Sequence, residues 1–142
     1  MADSIPFNMY LEDVVLMGKF FHELDNVRTT WECFKDKPDK QIYTKSEEGL
    51  NLISILYRFK IDTNLFDPFS LLVETDMLKE WVPTMKKSDP IKEFSPFRKA
   101  LHMHKEMPFP ISDRELVLCS TAAIVKERKG AMIMIRSANS ER

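Results

Sequence analysis

The first part of the chain has apolar residues at the spacing of an amphipathic helix. Between Phe7 and Asp25 they fall mostly three or four positions apart, at Leu11, Val14, Val15, Phe21 and Leu24. Gly18 lies inside this segment as a residue of low helix propensity, and Asp25-Asn26 provides a plausible stop. The spacing therefore predicts an N-terminal helix over residues 7–25.

Alternation of apolar and polar residues replaces the helical spacing after this segment. It predicts three strands, at Thr30–Lys35, Gln41–Lys45 and Leu50–Ile61, with turns at residues 36–39 and 46–49. Along the third strand, every second side chain points to the same face of the sheet. One face carries Leu50, Leu52, Ser54, Leu56, Arg58 and Lys60. The other face is more apolar and is predicted to meet the core; it carries Asn51, Ile53, Ile55, Tyr57, Phe59 and Ile61.

A second helical region is predicted from Asp67 to Val82. Asp67 is suited to cap its N-terminus, and Pro68 is suited to the first helical position. Apolar residues again form a stripe, which comprises Phe69, Leu72, Val73, Met77, Leu78 and Trp81. The Thr75-Asp76 step is expected to divide the region into two short helices, and Pro83 ends it.

The segment after the second helical region is harder to assign to one type of structure. Pro90 and Pro96 interrupt residues 85–97, so only short extended pieces such as Ile91–Phe94 are expected there. Lys99–Met107 alternates as a strand does, although its composition is also compatible with a helix.

Two further strands are predicted near the end of the sequence. A long strand covers Glu115–Lys126, and a polar loop over residues 127–130 leads to a return strand at Ala131–Ile135. The return strand is apolar on both faces, so it needs cover on both. The order of one helix, three strands, short helices and more strands predicts an α+β fold.

Composition and charge narrow the class of protein. The chain has 142 residues, of which 44% are hydrophobic and 30% charged, and this suits one globular domain. The 21 basic and 22 acidic residues give a net charge of −1. Phosphate neutralisation requires a clustered basic excess, so no nucleic-acid partner is expected.

Targeting and redox signals favour a cytoplasmic protein. No apolar run reaches the roughly 18 residues of a membrane span, and the N-terminus lacks the pattern of a secretory signal. Cys33 and Cys119 form no CxxC pair. Both are interpreted as reduced thiols, although a disulfide between them is compatible with the sequence alone.

Three segments, in this order, resemble StAR-related lipid-transfer (START) domains. Trp31 followed by Gln41-Ile42-Tyr43-Thr44-Lys45 is similar to the first two strands of that family. The segment Thr75–Trp81 resembles the part in which an Asp or Asn at a helix junction leads to a Trp. Pro108-Phe109-Pro110-Ile111-Ser112-Asp113-Arg114-Glu115 resembles the P-F-P-x-S-x-R-D signature that leads into a long strand, with Glu115 in place of the usual Asp.

The resemblance covers about residues 7 to 139 and implies a helix-grip fold. This fold has a curved antiparallel sheet, an N-terminal helix, and two short helices after the third strand. The family continues with more strands and a long C-terminal helix that closes its pocket. We therefore expect residues 1–142 to form a single START-like domain that is incomplete at its C-terminus. A further C-terminal segment or a protein partner would complete the sheet.

The family likeness also implies a ligand, namely a lipid or another hydrophobic small molecule. The candidates for the pocket wall are Phe66, Phe69, Leu72, Trp81, Met103, Arg114, Leu116, Leu118 and Ile133. The apolar members suit a lipid-lined wall and an ordinary core equally well. Arg114 has two interpretations: it fixes the turn by binding carbonyls or a carboxylate such as Glu115 or Asp76, or it contacts a lipid phosphate or carboxylate.

Other chemical signals in the sequence are weak. No nucleophile elbow, zinc motif or phosphate-binding loop is present, so neither an enzyme nor a cofactor is expected. His102 and His104 would point the same way on a strand, but only Glu106 lies nearby as a third ligand, and a solvated strand face is preferred to a metal site. The basic clusters Lys86-Lys87 and residues 126–129 are either solvated loops or points of transient contact with an anionic membrane surface.

Two function hypotheses follow from these patterns. The first is a non-catalytic module that binds and transports, or senses, one hydrophobic ligand in a hydrophobic pocket. The alternative is a structural or protein-interaction domain of a larger protein or assembly that exchanges no ligand. An enzyme acting on a small hydrophobic molecule is the weakest interpretation, because no set of residues requires it.

Overall fold

The computed structural model describes residues 7–49 and 52–137. The elements up to the third strand are helices α1 (Phe7–Asp25) and α2 (Val27–Thr30) and strands β1 (Glu32–Asp36), β2 (Lys40–Ser46) and β3 (Ile53–Phe59). Then follow α3 (Phe66–Val73), a 3-10 turn (Thr75–Met77), α4 (Leu78–Trp81), β4 (Met85–Ser95), β5 (Arg98–Lys105), β6 (Arg114–Val125), a second 3-10 turn (Lys126–Arg128) and β7 (Gly130–Ser137). The chain divides into two compact units, one with residues 11–63 and one with most of the remainder.

The unit of residues 11–63 places helices on one face of a three-stranded antiparallel sheet in the order β1-β2-β3. Tyr43 of β2 lies directly opposite Leu56 of β3, so both side chains point to the same face. With Val27 of α2 they form the buried core of the unit. Partly buried side chains from the helical side pack against this core: Phe20, Leu24 and Trp31.

The core face of β3 is the opposite of the one that the sequence predicts. Leu56 is 6% exposed, whereas Ile53, Ile55, Tyr57 and Phe59 are between 54% and 69% exposed. The register pairs Leu56 with Tyr43, and the helices cover that face. The prediction was wrong because counting apolar residues does not determine which face a helix covers. Leu50 and Asn51, which were predicted to begin this strand, lie outside the described residues.

A polar cluster ties the end of α1 to the sheet of the same unit. The indole Nε1 of Trp31 donates to Glu23 Oε2 at 2.9 Å. The ammonium group of Lys45 lies 3.3 Å from both carboxylate oxygens of Glu23 and 5.6 Å from the centre of the Trp31 ring. Trp31, which the family resemblance singles out, therefore contributes to the scaffold.

The other unit has a four-stranded antiparallel sheet in the order β4-β5-β6-β7. β4 is a continuous strand of 11 residues, where only short extended pieces were predicted. Pro90 is tolerated because β4 lies at the edge of the sheet and has register shifts at three places, one of them directly after Pro90. The strand alternative for Lys99–Met107 is confirmed by β5, and the long strand and its return are confirmed by β6 and β7.

The helical region before this sheet is divided as the sequence predicts. α3 ends at Val73 and the 3-10 turn begins at Thr75. The predicted capping role of Asp67 is wrong, because α3 begins at Phe66, before Asp67, and the backbone N–H of Asp67 itself donates to Asn64 Oδ1 at 3.0 Å. In residues 7–49 and 52–137, no helix combines the length and the apolar character that crossing a bilayer requires.

Candidate ligand-binding face

The strand register places those pocket-wall candidates that lie on strands onto one face of the four-stranded sheet. Met103 lies opposite Leu116, and residues that lie opposite each other in an antiparallel pair share a face. Alternate positions along β6 and β7 then add the remaining strand candidates Arg114, Leu118 and Ile133. We refer to this surface as the apolar face; its apolar members are Leu101, Met103, Leu116, Leu118, Ala122, Ile124, Ala131, Ile133 and Ile135.

The helical candidates divide into two groups. Phe69 is buried and its ring lies 5.6 Å from that of Phe97, in the turn between β4 and β5. Leu72 lines a crevice that also contains Ile133 of the apolar face. Phe66 and Trp81 are exposed and are absent from the lining of this crevice. The structure thus brings the end of α3, but not its first residue or α4, to the crevice.

The crevice lies between the end of α3, the following 3-10 turn and the apolar face. Its volume of about 10 Å³ is enough for about one water molecule. The apolar lining residues are Leu72, Val73, Pro96, Phe97, Ala122 and Ile133. Three polar residues also line it: Thr75, Lys99 and Ser120. The crevice therefore combines apolar walls with a small group of hydrogen-bonding side chains, although it is too small for a lipid tail.

Lys99 is the charged member of this group. Its side chain is only 13% exposed, and its Nζ lies 2.9 Å from Glu93 Oε1 of the neighbouring strand. Lys99 also lies directly opposite Ser120 across the β5–β6 pair. Sequence reasoning did not select Lys99, although its position two residues before Leu101 places it on the same side of the strand.

Asp113 performs the turn-fixing role that was one of the two interpretations of Arg114. Its Oδ1 accepts from the backbone N–H of Met107 at 3.2 Å, and its Oδ2 lies 2.9 Å from Lys86 Nζ and 3.1 Å from His104 Nε2. Arg114 is exposed and makes no ion pair or side-chain hydrogen bond with any described residue, so the predicted clamp is wrong. An Asp in a proline-rich turn is the signal that could have indicated this role.

These contacts change the acidity of Asp113. The hydrogen bond from Lys86, followed by those from the Met107 backbone and His104, lowers the pKa of the carboxyl to about 2. The same carboxylate raises the pKa of Lys86. The turn is thus held by a charged cluster that lies on the surface rather than in the crevice.

Comparison with known proteins supplies the fold. No family model matches the sequence, and no curated protein matches it. A solved structure, a STAR-related lipid transfer protein from Xanthomonas axonopodis, is similar with a TM-score of 0.62 and 17% sequence identity. The match covers 80% of this chain and 63% of that one, and it is between backbones rather than sequences. The protein has a START-like fold.

The START-like architecture confirms the α+β prediction in its element order. The N-terminal helix, three strands, short helices and later antiparallel strands all occur in the expected sequence. The chain spans 63% of the length of the Xanthomonas structure. The prediction of a single domain that is incomplete at its C-terminus stays a prediction.

The two predicted histidines lie on the four-stranded sheet, on the face opposite to the apolar face. His102 Nε2 lies 3.6 Å from Glu115 Oε2, and His104 Nδ1 lies 3.9 Å from Glu115 Oε1. Within residues 7–49 and 52–137, no three His, Cys, Asp or Glu side chains are grouped so as to hold a metal ion. Cys33 and Cys119 are free thiols.

A larger groove lies in the unit of residues 11–63 but has the wrong chemistry for a lipid tail. Its volume is about 660 Å³. It is lined by Thr30, Glu32, Thr44, Lys45, Ser46, Glu47 and Glu48. Because these side chains are polar or charged, the groove lacks the mainly apolar lining that a lipid tail needs, and the apolar face with its crevice is the better candidate site.

Proposed function

We propose that this protein is a cytoplasmic, non-catalytic module that binds and carries, or senses, one lipid or other hydrophobic small molecule on its apolar face. The observation that supports this most is the exposure of that face beyond the crevice. Leu116 is 41% exposed and Ile135 is 58% exposed, although both lie on the face that α3 approaches at the crevice. Exposed apolar side chains that share one face of a sheet are typical of a binding site.

The fold supports the same proposal. The protein of the similar solved structure is named as a lipid transfer protein, and the START-like sheet of the present chain directs apolar side chains from three adjacent strands to one face. A lipid tail lying on this face would remove Leu116 and Ile135 from water, which is favourable by about 25 cal/mol for each Å² of apolar surface.

Native mass spectrometry of the purified protein, before and after delipidation, tests the proposal. We expect a co-purified lipid, and renewed binding when long-chain lipids are added to the delipidated protein. Leu116→Asp should abolish this binding, because it places a charge on the apolar face. Val117→Asp is the matched control, since Val117 is the next residue, is 46% exposed and points to the opposite face. Absence of any bound lipid, or equal loss in both variants, would contradict the proposal.

Transient contact with an anionic membrane during ligand exchange is a further part of this proposal. Lys126 and Lys129 are exposed at the turn between β6 and β7, whereas Lys86 is held by Asp113 and Glu106. We expect the protein to co-sediment with vesicles that contain phosphatidylserine, and K126E/K129E to reduce this co-sedimentation. If the double variant co-sediments as the wild type does, the contact does not involve this turn.

The second candidate function is a structural or protein-interaction domain without ligand exchange. The observation that favours it is the edge position of β7, which pairs only with β6 among the described strands and exposes Ile135. Exposed apolar edge strands invite pairing with another strand. Light scattering coupled to size-exclusion chromatography distinguishes the two functions: self-association that Ile135→Lys removes, together with an absence of bound lipid, would favour the interaction domain.

A further inference from the structure

Lys99 brings a positive charge onto the apolar face. Its side chain is 13% exposed, and the next residue on the same side of β5, Leu101, is 1% exposed. An ammonium group in such surroundings is destabilising unless an anion or several polar groups accompany it. An anionic partner therefore stabilises this lysine.

Glu93 supplies that anion, but it is the more exposed member of the pair. Its side chain is 55% exposed, four times as much as that of Lys99 at 13%. The Glu93 carboxylate can turn into water with little loss of solvation, whereas Lys99 cannot leave its apolar surroundings as easily. A ligand carboxylate can thus replace Glu93 at Lys99.

Thr75 adds a second reason to expect a ligand oxygen at this point. It is 4% exposed, and its buried Oγ1 has no hydrogen-bond partner in the described part of the chain. A buried hydroxyl without a partner is destabilising. Thr75, Lys99 and Ser120 all line the same crevice, so an ammonium group and two hydroxyl groups are available as donors to the two oxygens of a carboxylate.

The size of the crevice and the apolar face beside it indicate the size of the ligand's head group and the nature of its tail. The crevice holds about one water molecule, so the ligand's head group must be small, and a carboxylate enters only if the lining side chains shift. The apolar face continues along β6 from Ser120 to Leu118 and Leu116, a distance of about 14 Å at the rise of an extended strand. A single hydrocarbon chain attached to the head group would lie along this part of the face.

We propose that Lys99, with Thr75 and Ser120, binds the carboxylate of a single-chain amphiphile such as a long-chain fatty acid. The inference rests on the proposed lipid-binding function and names the ligand class and the polar end of its site. Glu93 forms an ion pair with Lys99 when no ligand is bound, and the ligand carboxylate displaces it.

Calorimetric titration of the delipidated full chain with oleate and with oleyl alcohol tests this inference. The two ligands have the same hydrocarbon chain, and only oleate is charged. We expect oleate to bind about tenfold more tightly, because a hydrogen bond to a charged group contributes about 1.5 kcal/mol or more. Lys99→Gln should remove this preference and retain the binding of the alcohol, and Glu93→Gln should increase the affinity for oleate.

Lys105→Gln is the matched control for the lysine. Lys105 lies on the same face and the same strand but at its far end, opposite Arg114. If Lys105→Gln lowers the preference for oleate as much as Lys99→Gln does, the preference arises from general electrostatic attraction and the inference is wrong.

Thr75→Val keeps the test decisive if Lys99→Gln fails to fold. This variant removes the unpartnered hydroxyl at similar size, so we expect a stability at least equal to that of the wild type and weaker oleate binding. Oleate binding unaffected by Thr75→Val and Lys99→Gln would overturn this inference alone. Failure of both ligands to bind the wild type would overturn the proposed function as well.

Discussion

The Asp113 carboxylate fixes the turn that leads into β6, and its contribution to stability should depend on pH. Its pKa in the folded protein is about 2, below the ordinary value of 3.8. A carboxyl whose pKa is lowered by folding stabilises the protein above its unfolded pKa and loses this effect as the pH falls towards its folded pKa. The difference in stability between wild type and Asp113→Asn should therefore be full at neutral pH and should vanish between about pH 4 and pH 2.

Urea unfolding followed by circular dichroism at several pH values measures this difference. Asp62→Asn is a suitable control, because Asp62 is exposed and makes no ion pair or side-chain hydrogen bond with a described residue. Lys86 and His104 face Asp113, and Glu106 and Glu115 lie next to them, so these four residues must remain unchanged in both variants. A pH-independent effect of Asp113→Asn would show that the carboxylate charge is unimportant.

Tyr43 provides a second prediction about a single residue. Its ring is central to the core of residues 11–63 at 1% exposure, yet its hydroxyl has no partner among the described residues. Tyr43→Phe should leave the free energy of unfolding unchanged or raise it by up to about 1 kcal/mol, because the buried hydroxyl is removed. Tyr43→Ala should lower it by about 3–5 kcal/mol, which denaturant unfolding can distinguish.

The two faces of β3 allow a direct test at the level of one element. Leu56 is 6% exposed and packs in the core, whereas the adjacent Ile55 is 54% exposed on the other face. Leu56→Ala should lower the free energy of unfolding by about 2–5 kcal/mol. Ile55→Ala should lower it by less than about 1 kcal/mol, because most of its surface is already in water. A larger loss of stability in Ile55→Ala than in Leu56→Ala would mean that the face of β3 with more apolar residues is the core face.

The elements were predictable where the local pattern alone decides the structure. The helix at residues 7–25 and the division at Thr75 each follow from the spacing of nearby residues. At Lys99–Met107 the alternation favours a strand and leaves a helix open, and the structure has the strand β5 there. β4 was missed because Pro90 within it and Pro96 directly after it indicate breaks locally. Only the place of β4 at the edge of the sheet shows that the missing N–H of Pro90 is harmless.

For the molecule as a whole, ligand binding should appear as increased stability. A ligand that binds only the folded protein stabilises it by about 2.7 kcal/mol at a free concentration of one hundred times its dissociation constant. Thermal unfolding of the delipidated START-like protein with increasing oleate should therefore show a rising midpoint. Leu116→Asp should show no rise, and Val117→Asp should behave as the wild type. A midpoint that is insensitive to lipid would contradict the proposed function.

The candidate site was predictable in part. Sequence spacing and the family resemblance selected Met103, Leu116, Leu118 and Ile133, and the register of β5, β6 and β7 places them together on the apolar face. Neither spacing nor resemblance selected Lys99, because a lysine in a strand is ordinarily solvated. Its significance depends on burial and on the proximity of Thr75, which lies in another element.

The sequence by itself determined the order and type of most elements and, through three short segments, the START-like fold. These properties depend on residues that lie close together along the chain, so their periodicity and turn chemistry are visible in the sequence. The tertiary structure decided which face of β3 is buried, that Asp113 rather than Arg114 holds its turn, and that Lys99 and Thr75 line one crevice. The reason is distance along the chain: Asp113 and Lys86 are 27 positions apart, and only the packing of separate elements brings such side chains together.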